Sequence, residues 1–160
     1  MLTLYHLRIS HFSEKARWAL DAKGLDYRSV LLVPGLHILK VRRVGGGSTV
    51  PVLVDDESGA TLTDSTDILH YLDRVRPQPA LFPDDPDLGA RVAELEEFFD
   101  EHCARHVSGF FYHFLLDHPG LLADRWSVGL GPLQRPMARL AARLLPSAMR
   151  RARNINAASA

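Results

Sequence analysis

The fold is indicated by the opening segment, residues 2–33, which reads LTLYHLRISHFSEKARWALDAKGLDYRSVLLV. Residues 2–6 alternate with a period near two, as the side chains of a strand do. Residues 12–23 place apolar side chains on one helical stripe that stops at Gly24, and residues 26–33 are apolar and β-branched enough for a second strand. This order predicts a βαβ unit, in which the two strands are parallel.

The next stretch extends this unit with a hairpin and a helix. Residues 50–54 read VPVLV and predict a third strand, and residues 60–63 predict a fourth one after the turn DDESG. A helix then begins at Asp64 or Ser65. We therefore expect an α/β domain of the order βαβ–ββα, with a mixed four-stranded sheet.

A proline-rich linker follows this domain. Four prolines lie close together: Pro77, Pro79, Pro83 and Pro86. Beyond them the pattern is helical, so we predict a domain at residues 1–78, a linker at 79–86 and an all-α domain at 87–160. Within the latter, the pattern predicts a long helix from Asp87 to about Asp117, a poorly patterned stretch to Gly131, and a helix over 132–151.

Composition and charge indicate a soluble globular protein with a basic C-terminal segment. The 160 residues are 46% hydrophobic and 24% charged, with 19 basic and 19 acidic residues, which is typical of a soluble globular chain. From Arg125 onward, however, there are seven arginines and no acidic residue. Such a segment can be a solvated helix face, bind nucleic acid or an anionic surface, or pack on acidic surface of the chain or a partner. We expect no nucleic-acid partner.

The compartment follows from cysteine usage and hydropathy. Cys103 is the only cysteine, so no internal disulfide can form and a reducing compartment is expected. The sequence lacks both an apolar run near the roughly 20 residues of a membrane span and a signal-peptide pattern. We expect a cytoplasmic protein without a membrane partner.

Polar residues with potential chemistry cluster at the ends of the predicted elements. Ser10 and Ser13 begin the first helix, and Asp64 and Ser65 begin the third. Helix N-termini favour anions because their first N–H groups are free and the helix dipole is positive there. Plain helix capping is the alternative for each of these residues.

The combination of these motifs resembles the glutathione transferases. The resemblance rests on S-x-x-S at residues 10–13, Val50-Pro51 before the third strand, Asp64-Ser65 at the third helix, and Arg17-Trp18-Ala19-Leu20, like the R-x-A-L of that family. It implies a thioredoxin-like domain followed by a helical one, and glutathione as a co-substrate with no metal. It also implies a transferase, active in detoxification, that conjugates glutathione to a small hydrophobic electrophile.

The resemblance implies a role for three hydroxyl groups. Only the thiolate of glutathione attacks electrophiles, and the ordinary pKa of such a thiol is about 8.5. A hydroxyl that donates a hydrogen bond to the sulfur stabilises the thiolate, and Ser10 occupies the position of the activating Ser or Cys in the theta- and omega-like classes. Ser13 is the second candidate and Tyr5 the third.

Further residues are assigned to the ligands by the same resemblance. The backbone of Val50, with Pro51 in a cis bond, would pair with the cysteinyl part of glutathione, while Asp64 and Ser65 would hold its γ-glutamyl end. Basic residues that precede Val50 would meet the glycyl carboxylate, with solvation at the surface as the alternative: Lys40, Arg42 and Arg43. His106, Phe110 and His113 would line the electrophile pocket, with plain packing as the alternative.

Two departures from the family keep a second hypothesis open. Gly45-Gly46-Gly47 precedes Val50 where the family usually has an Asn-Pro or similar, and the helical domain is about half the family's usual length. The alternative is a non-catalytic, glutathione-transferase-like binding or interaction module. The resemblance further implies a homodimer, which would cover the apolar positions of residues 133–149.

Overall fold

The computed structural model describes residues 1–153, except for the side chains of Arg105, Ala152 and Arg153. Residues 154–160 of the predicted helical domain therefore lie outside the described residues. The chain forms two compact units. Residues 1–81 and Gly129–Gly131 form the first, and residues 82–128 with those from Pro132 onward form the second.

The first unit has the predicted order of strands and helices, with a short additional helix between its second and third strands. Its elements are β1 (Leu2–His6), α1 (His11–Ala22), β2 (Tyr27–Leu31), α2 (His37–Arg43), β3 (Val52–Asp55), β4 (Ala60–Leu62) and α3 (Ser65–Val75). The strand order is β2-β1-β3-β4, with β1 parallel to β2 and the other pairs antiparallel. The mixed four-stranded sheet and the βαβ–ββα order of a thioredoxin-like domain are confirmed.

The sheet buries apolar side chains on both faces. One face packs against α1 and α3 through residues such as Leu4, Leu53, Leu20 and Ile68. The other face packs against α2 through Leu32, Val41 and Val52. Because alternate side chains of a strand point to opposite faces, β1, β2 and β3 each contribute to both clusters.

Two polar contacts fix α1 beside α3. Near their N-termini, Nζ of Lys15 donates to Oγ1 of Thr66 at 3.1 Å. Near their C-termini, the fully buried Lys23 forms an ion pair with Asp73, and its Nζ donates to the carbonyl of Arg76 at 2.7 Å. Contacts at both ends in the same order mean that α1 and α3 run parallel, with their N-termini at the same end.

Helices make up the second unit. They are α4 (Pro86–Phe98), a π-helical segment (Phe99–Ala104), α5 (Arg105–Leu115), α6 (Pro119–Ser127), α7 (Gln134–Leu144) and α8 (Pro146–Arg153). The all-α domain is confirmed, as is helical structure through most of residues 87–117. None of the helices within residues 1–153 combines the length and apolar character that crossing a bilayer requires.

Two predictions about this unit are wrong. The stretch before Gly131 contains α6, in which Pro119 occupies the first turn, where its missing N–H costs nothing. Leu122 and Trp126, one turn apart, are buried there. The helix predicted over 132–151 is two helices, because Pro146 cannot donate the hydrogen bond that would continue α7.

Candidate functional site

The end of β1 and the start of β3 meet at one edge of the sheet. Tyr5 pairs with Val52 in the antiparallel register of these strands. Consequently, the loop that leads from β1 to Ser10 and the Val50-Pro51 segment lie at the same end of the first unit. The bond between Val50 and Pro51 is cis. The N–H and C=O of Val50 bond no other residue within the part of the chain that the structure describes.

Two helix N-termini lie at this same end. Helix α1 begins directly after the β1 loop, and α3 runs parallel to α1. The positive ends of both helix dipoles therefore lie at the same end of the first unit as the Val50-Pro51 segment. The structure thus brings together Ser10, Val50, Pro51, Asp64 and Ser65, which come from three separate stretches of sequence.

Ser10 caps helix α1 and remains partly accessible. Its Oγ accepts a hydrogen bond from the backbone N–H of Ser13 at 3.2 Å, and its carbonyl accepts from the N–H of Glu14 at 3.0 Å. A serine hydroxyl has two acceptor lone pairs and one proton, and this cap uses a lone pair only. The proton of Ser10 can therefore still be donated to a ligand.

Ser13 is placed differently from Ser10. Its side chain is 1% exposed, and its Oγ accepts from the N–H of Leu7 at 3.5 Å. This contact holds the loop between β1 and α1 in place. Burial argues against Ser13 as the donor to a ligand's sulfur, so this second candidate is not supported by its position.

Asp64 caps helix α3. Its Oδ1 accepts from the N–H groups of Thr66 at 2.8 Å and Asp67 at 3.2 Å. The residue is exposed, so the carboxylate also presents a negative charge at the surface. Ser65 is 3% exposed, and its backbone N–H has no acceptor among residues 1–153. The Asp64 carboxylate, which can bind a cation, and the free backbone N–H of Ser65 therefore belong to adjacent residues.

The basic residues predicted for the glycyl end lie on α2. Lys40 and Arg42 are exposed, as is Arg43. Nζ of Lys40 lies 5.5 Å from the centre of the Tyr5 ring, a cation–π contact. Tyr5 itself packs on the α2 face of the sheet rather than the α1 face. The Tyr5 ring thus holds the Lys40 ammonium near the end of β1.

His6 is a buried polar residue that the sequence analysis did not single out. Its Nε2 lies 2.7 Å from Oγ of Ser29, across the parallel β1–β2 pair. Burial lowers the pKa of His6, and the charges of Arg17 and Arg8 lower it further. A neutral imidazole therefore supports the end of β1. The sequence carried one signal for this burial, because strand alternation places residue 6 on the same buried face as Leu4.

The predicted electrophile-pocket residues all lie on α5, in the second unit. His106 is exposed, and its Nδ1 lies 2.5 Å from the carbonyl oxygen of His102. Phe110 is 67% exposed. His113 is half-buried, and its Nδ1 has no hydrogen-bond partner within the described part of the chain. Spacing of four and three residues puts these side chains on one helix face.

Histidines and Cys103 recur along α5 and the π-helical segment before it. Among the residues that are described, no three His, Cys, Asp or Glu side chains come together in a group that could hold a metal ion. The chemistry of the first unit instead consists of hydroxyl, backbone and carboxylate groups at helix N-termini. These groups suit a zwitterionic, peptide-like ligand.

Comparison with known proteins identifies this arrangement. Residues 4–80 match the family model of the glutathione S-transferase N-terminal domain. The first unit of the chain is a glutathione S-transferase N-terminal domain. This chain is 40% identical over 100 residues to the probable maleylacetoacetate isomerase 1 of Drosophila melanogaster. The aligned stretch covers 59% of this chain and 40% of that protein.

Solved structures of this family have the same fold. A glutathione S-transferase from Rhodospirillum rubrum F11 is 30% identical, with a TM-score of 0.62 over 88% of this chain and 61% of that chain. The beta-etherase LigF from Sphingobium sp. strain SYK-6 is 26% identical, with a TM-score of 0.63 over 89% of this chain and 61% of that one. This chain therefore spans less than two thirds of the length of these relatives.

Proposed function

We propose that this protein binds glutathione at residues 1–78 and activates its thiol for conjugation to a small hydrophobic electrophile. The observation that carries the proposal is the convergence of Ser10, Val50 and the Asp64–Ser65 pair at one end of the first unit. Cytoplasmic detoxification is the corresponding role, in keeping with a single cysteine and a thiol co-substrate.

Backbone and charged groups match the parts of the tripeptide. The unpaired N–H and C=O of Val50 can exchange hydrogen bonds with the cysteinyl residue, as a short strand does. The free N–H of Ser65, on the positive end of α3, suits the γ-glutamyl carboxylate, and the Asp64 carboxylate suits the ammonium group. Lys40 suits the glycyl carboxylate.

Activation follows from the remaining proton of Ser10. A hydrogen bond from this hydroxyl to the sulfur stabilises the thiolate but not the thiol, so it lowers the pKa of the thiol. The positive end of the α1 dipole acts in the same direction. Lowering a pKa by one unit needs about 1.4 kcal/mol, which one charge-assisted hydrogen bond supplies. Holding the electrophile next to the sulfur contributes the remaining rate enhancement.

His106, Phe110 and His113 remain the proposed electrophile-binding residues. Phe110 and His106 are exposed on α5, so an aromatic and a polar surface are available to a ligand. The Drosophila relative is named for an isomerase of maleylacetoacetate, an electrophilic alkene. Reversible addition of the thiolate to such an alkene needs the same activated sulfur, so activated alkenes belong in the test beside aryl halides.

The alternative is a binding module without turnover. It is favoured by the exposed positions of His106 and Phe110 on α5. Such a module would retain glutathione through Val50 and Asp64 but leave its thiol inactive. A homodimer is proposed for either function, because apolar side chains of the second unit are exposed in the single chain.

The experiment compares binding and turnover in the same preparation. Retention on immobilised glutathione measures binding, and conjugation of chlorodinitrobenzene or addition to maleate measures turnover. We expect both in the wild type, whereas Ser10→Ala should keep its retention and lower turnover roughly tenfold to a hundredfold. Retention with no turnover on any electrophile would support the binding module. Absence of both retention and turnover would reject the proposal that this chain binds glutathione.

A further inference from the structure

Helix α7 presents an apolar stripe to solvent. The members of this α7 stripe, which include the residue before the helix, are 47% to 88% exposed: Leu133, Met137, Leu140 and Leu144. They recur at intervals of three or four residues, so helical periodicity aligns them on one face of the helix. The buried residues of α7 are all alanines, so the helix packs through small side chains and exposes its large apolar ones. A contiguous apolar face of this kind indicates an interaction surface.

Positive charge lies along one edge of the α7 stripe. Arg139 and Arg143 are exposed and one helical turn apart, so helical periodicity places both on the same edge. Arg150 of α8 pairs with Asp117, whereas Arg139 and Arg143 pair with no acidic side chain that the structure describes. Both guanidinium groups are therefore available to an anionic partner.

This basic edge belongs to a stretch of sequence without acidic residues. The sequence contains no Asp or Glu after Asp124, but it contains seven arginines from Arg125 onward. The side-chain charges of α7 and α8 are therefore all of one sign, and this surface attracts negatively charged surfaces. A partner that covers the α7 stripe and its basic edge must be apolar and negatively charged at once.

An anionic lipid bilayer meets both requirements. Guanidinium groups bind phosphates through paired hydrogen bonds, and the apolar side chains of a surface helix enter the boundary between headgroups and acyl chains. Nucleic acid also offers phosphates, but its backbone gives the exposed leucines nothing apolar to contact. The sequence-based expectation of no membrane partner concerned a spanning segment, and a helix that lies on the surface needs neither the length nor the overall hydrophobicity of one.

We infer that α7 binds the surface of an anionic membrane, with the α7 stripe inserted and Arg139 and Arg143 on lipid phosphates. The cytoplasmic leaflet of a cell membrane carries negative charge, so this contact agrees with a cytoplasmic protein. The inference goes beyond the proposed function and does not depend on the glutathione site. Since it assigns the α7 stripe to lipid, the proposed homodimer would use exposed apolar side chains of α4 and α5 instead, such as Phe98 and Val107.

Vesicle flotation of the whole chain tests the inference. The wild type should float with vesicles that contain phosphatidylglycerol but not with vesicles of phosphatidylcholine alone, and less as salt is added. Replacing both Arg139 and Arg143 by Gln should weaken this binding about tenfold or more, because two phosphate contacts are lost. Leu140→Gln should weaken it about fivefold or more through lost insertion. Leu88→Gln on α4, at 55% exposure against 57% for Leu140, and Arg28→Gln on β2 are the matched controls and should change nothing.

Several outcomes would overturn the inference. Wild type that floats with neither kind of vesicle would do so, and so would flotation that none of the α7 substitutions weakens. Retention on heparin without flotation would assign the arginines to another polyanion. A dimer that Leu140→Gln dissociates, in a wild type that does not float, would assign the α7 stripe to a second copy. Circular dichroism and retention on immobilised glutathione, measured for every variant, separate these outcomes from unfolding and from failure of the glutathione site.

Discussion

The backbone N–H of Ser13 donates to Oγ of Ser10 at 3.2 Å, so Ser10 is at once the cap of helix α1 and a hydroxyl with its proton still to give. Capping and thiol activation are usually treated as competing roles for such a serine. Here they use different parts of the same group, because the cap occupies a lone pair. Capping also fixes the rotamer of Ser10 and so directs its remaining donor.

Replacing Ser10 separates the two roles. Ser10→Ala should destabilise the protein by about 1 kcal/mol through loss of the cap. It should also lower turnover roughly tenfold to a hundredfold at neutral pH, because a hydrogen bond to a charged sulfur is lost. The pH–rate profile should move to higher pH, toward the ordinary pKa of the thiol. Ser10→Thr keeps both groups and should stay near wild type; a profile unchanged in Ser10→Ala would assign Ser10 to capping alone.

Lys23 joins the C-terminal ends of α1 and α3 in the interior. Its side chain is fully buried and pairs with Asp73, which also accepts from the N–H of Leu81 at 2.9 Å. Lys23→Met removes the cation that pairs with Asp73 and donates to the Arg76 carbonyl, so we expect a loss of about 3 kcal/mol in the free energy of unfolding by urea. Arg28→Met, at an exposed position, should change it by less than about 0.5 kcal/mol. Equal effects would show that the buried pair contributes nothing.

His6 should make stability depend on pH. Burial lowers its pKa in the folded state, whereas the unfolded chain has the ordinary value of about 6.5. The unfolded state therefore binds the proton first as pH falls, and stability decreases below about pH 6.5 until the folded-state pKa is reached. His6→Gln should flatten this decrease in urea titrations between about pH 7.5 and 5.5, and the exposed-site variant His70→Gln should retain it. An unchanged slope in His6→Gln would exclude His6 as its cause.

Local pattern predicted most of the first unit, because each local signal there agrees with the tertiary structure. Period-two alternation over residues 2–6 and the caps at Ser10 and Asp64 are signals of this kind. The local sequence gives no indication that Lys23 is buried. A lysine just before Gly24 is typical of an exposed helix end, and only its distant partner Asp73 makes burial tolerable.

Proline was the main source of error in the second unit. Pro119 follows the predicted helix end at about Asp117, yet it begins helix α6, because a proline is well tolerated in the first turn. The helix predicted over residues 132–151 contains Pro146, which divides it into α7 and α8. Which of these a proline does depends on the preceding residues and on the surface available for packing, and helix α6 has its surface from α7.

Calorimetric titration of the whole chain with glutathione tests the central claim most directly, with Asp64→Asn and Asp64→Ala beside the wild type. Asparagine caps a helix as well as aspartate does but carries no charge, so Asp64→Asn isolates the contact to the ligand's ammonium. We predict saturable binding of one glutathione per chain, weakened about tenfold or more in both variants, with helix stability lost only in Asp64→Ala. Wild type that releases no heat and retains no glutathione, or Asp64→Asn that binds as tightly as wild type, would contradict the site described here.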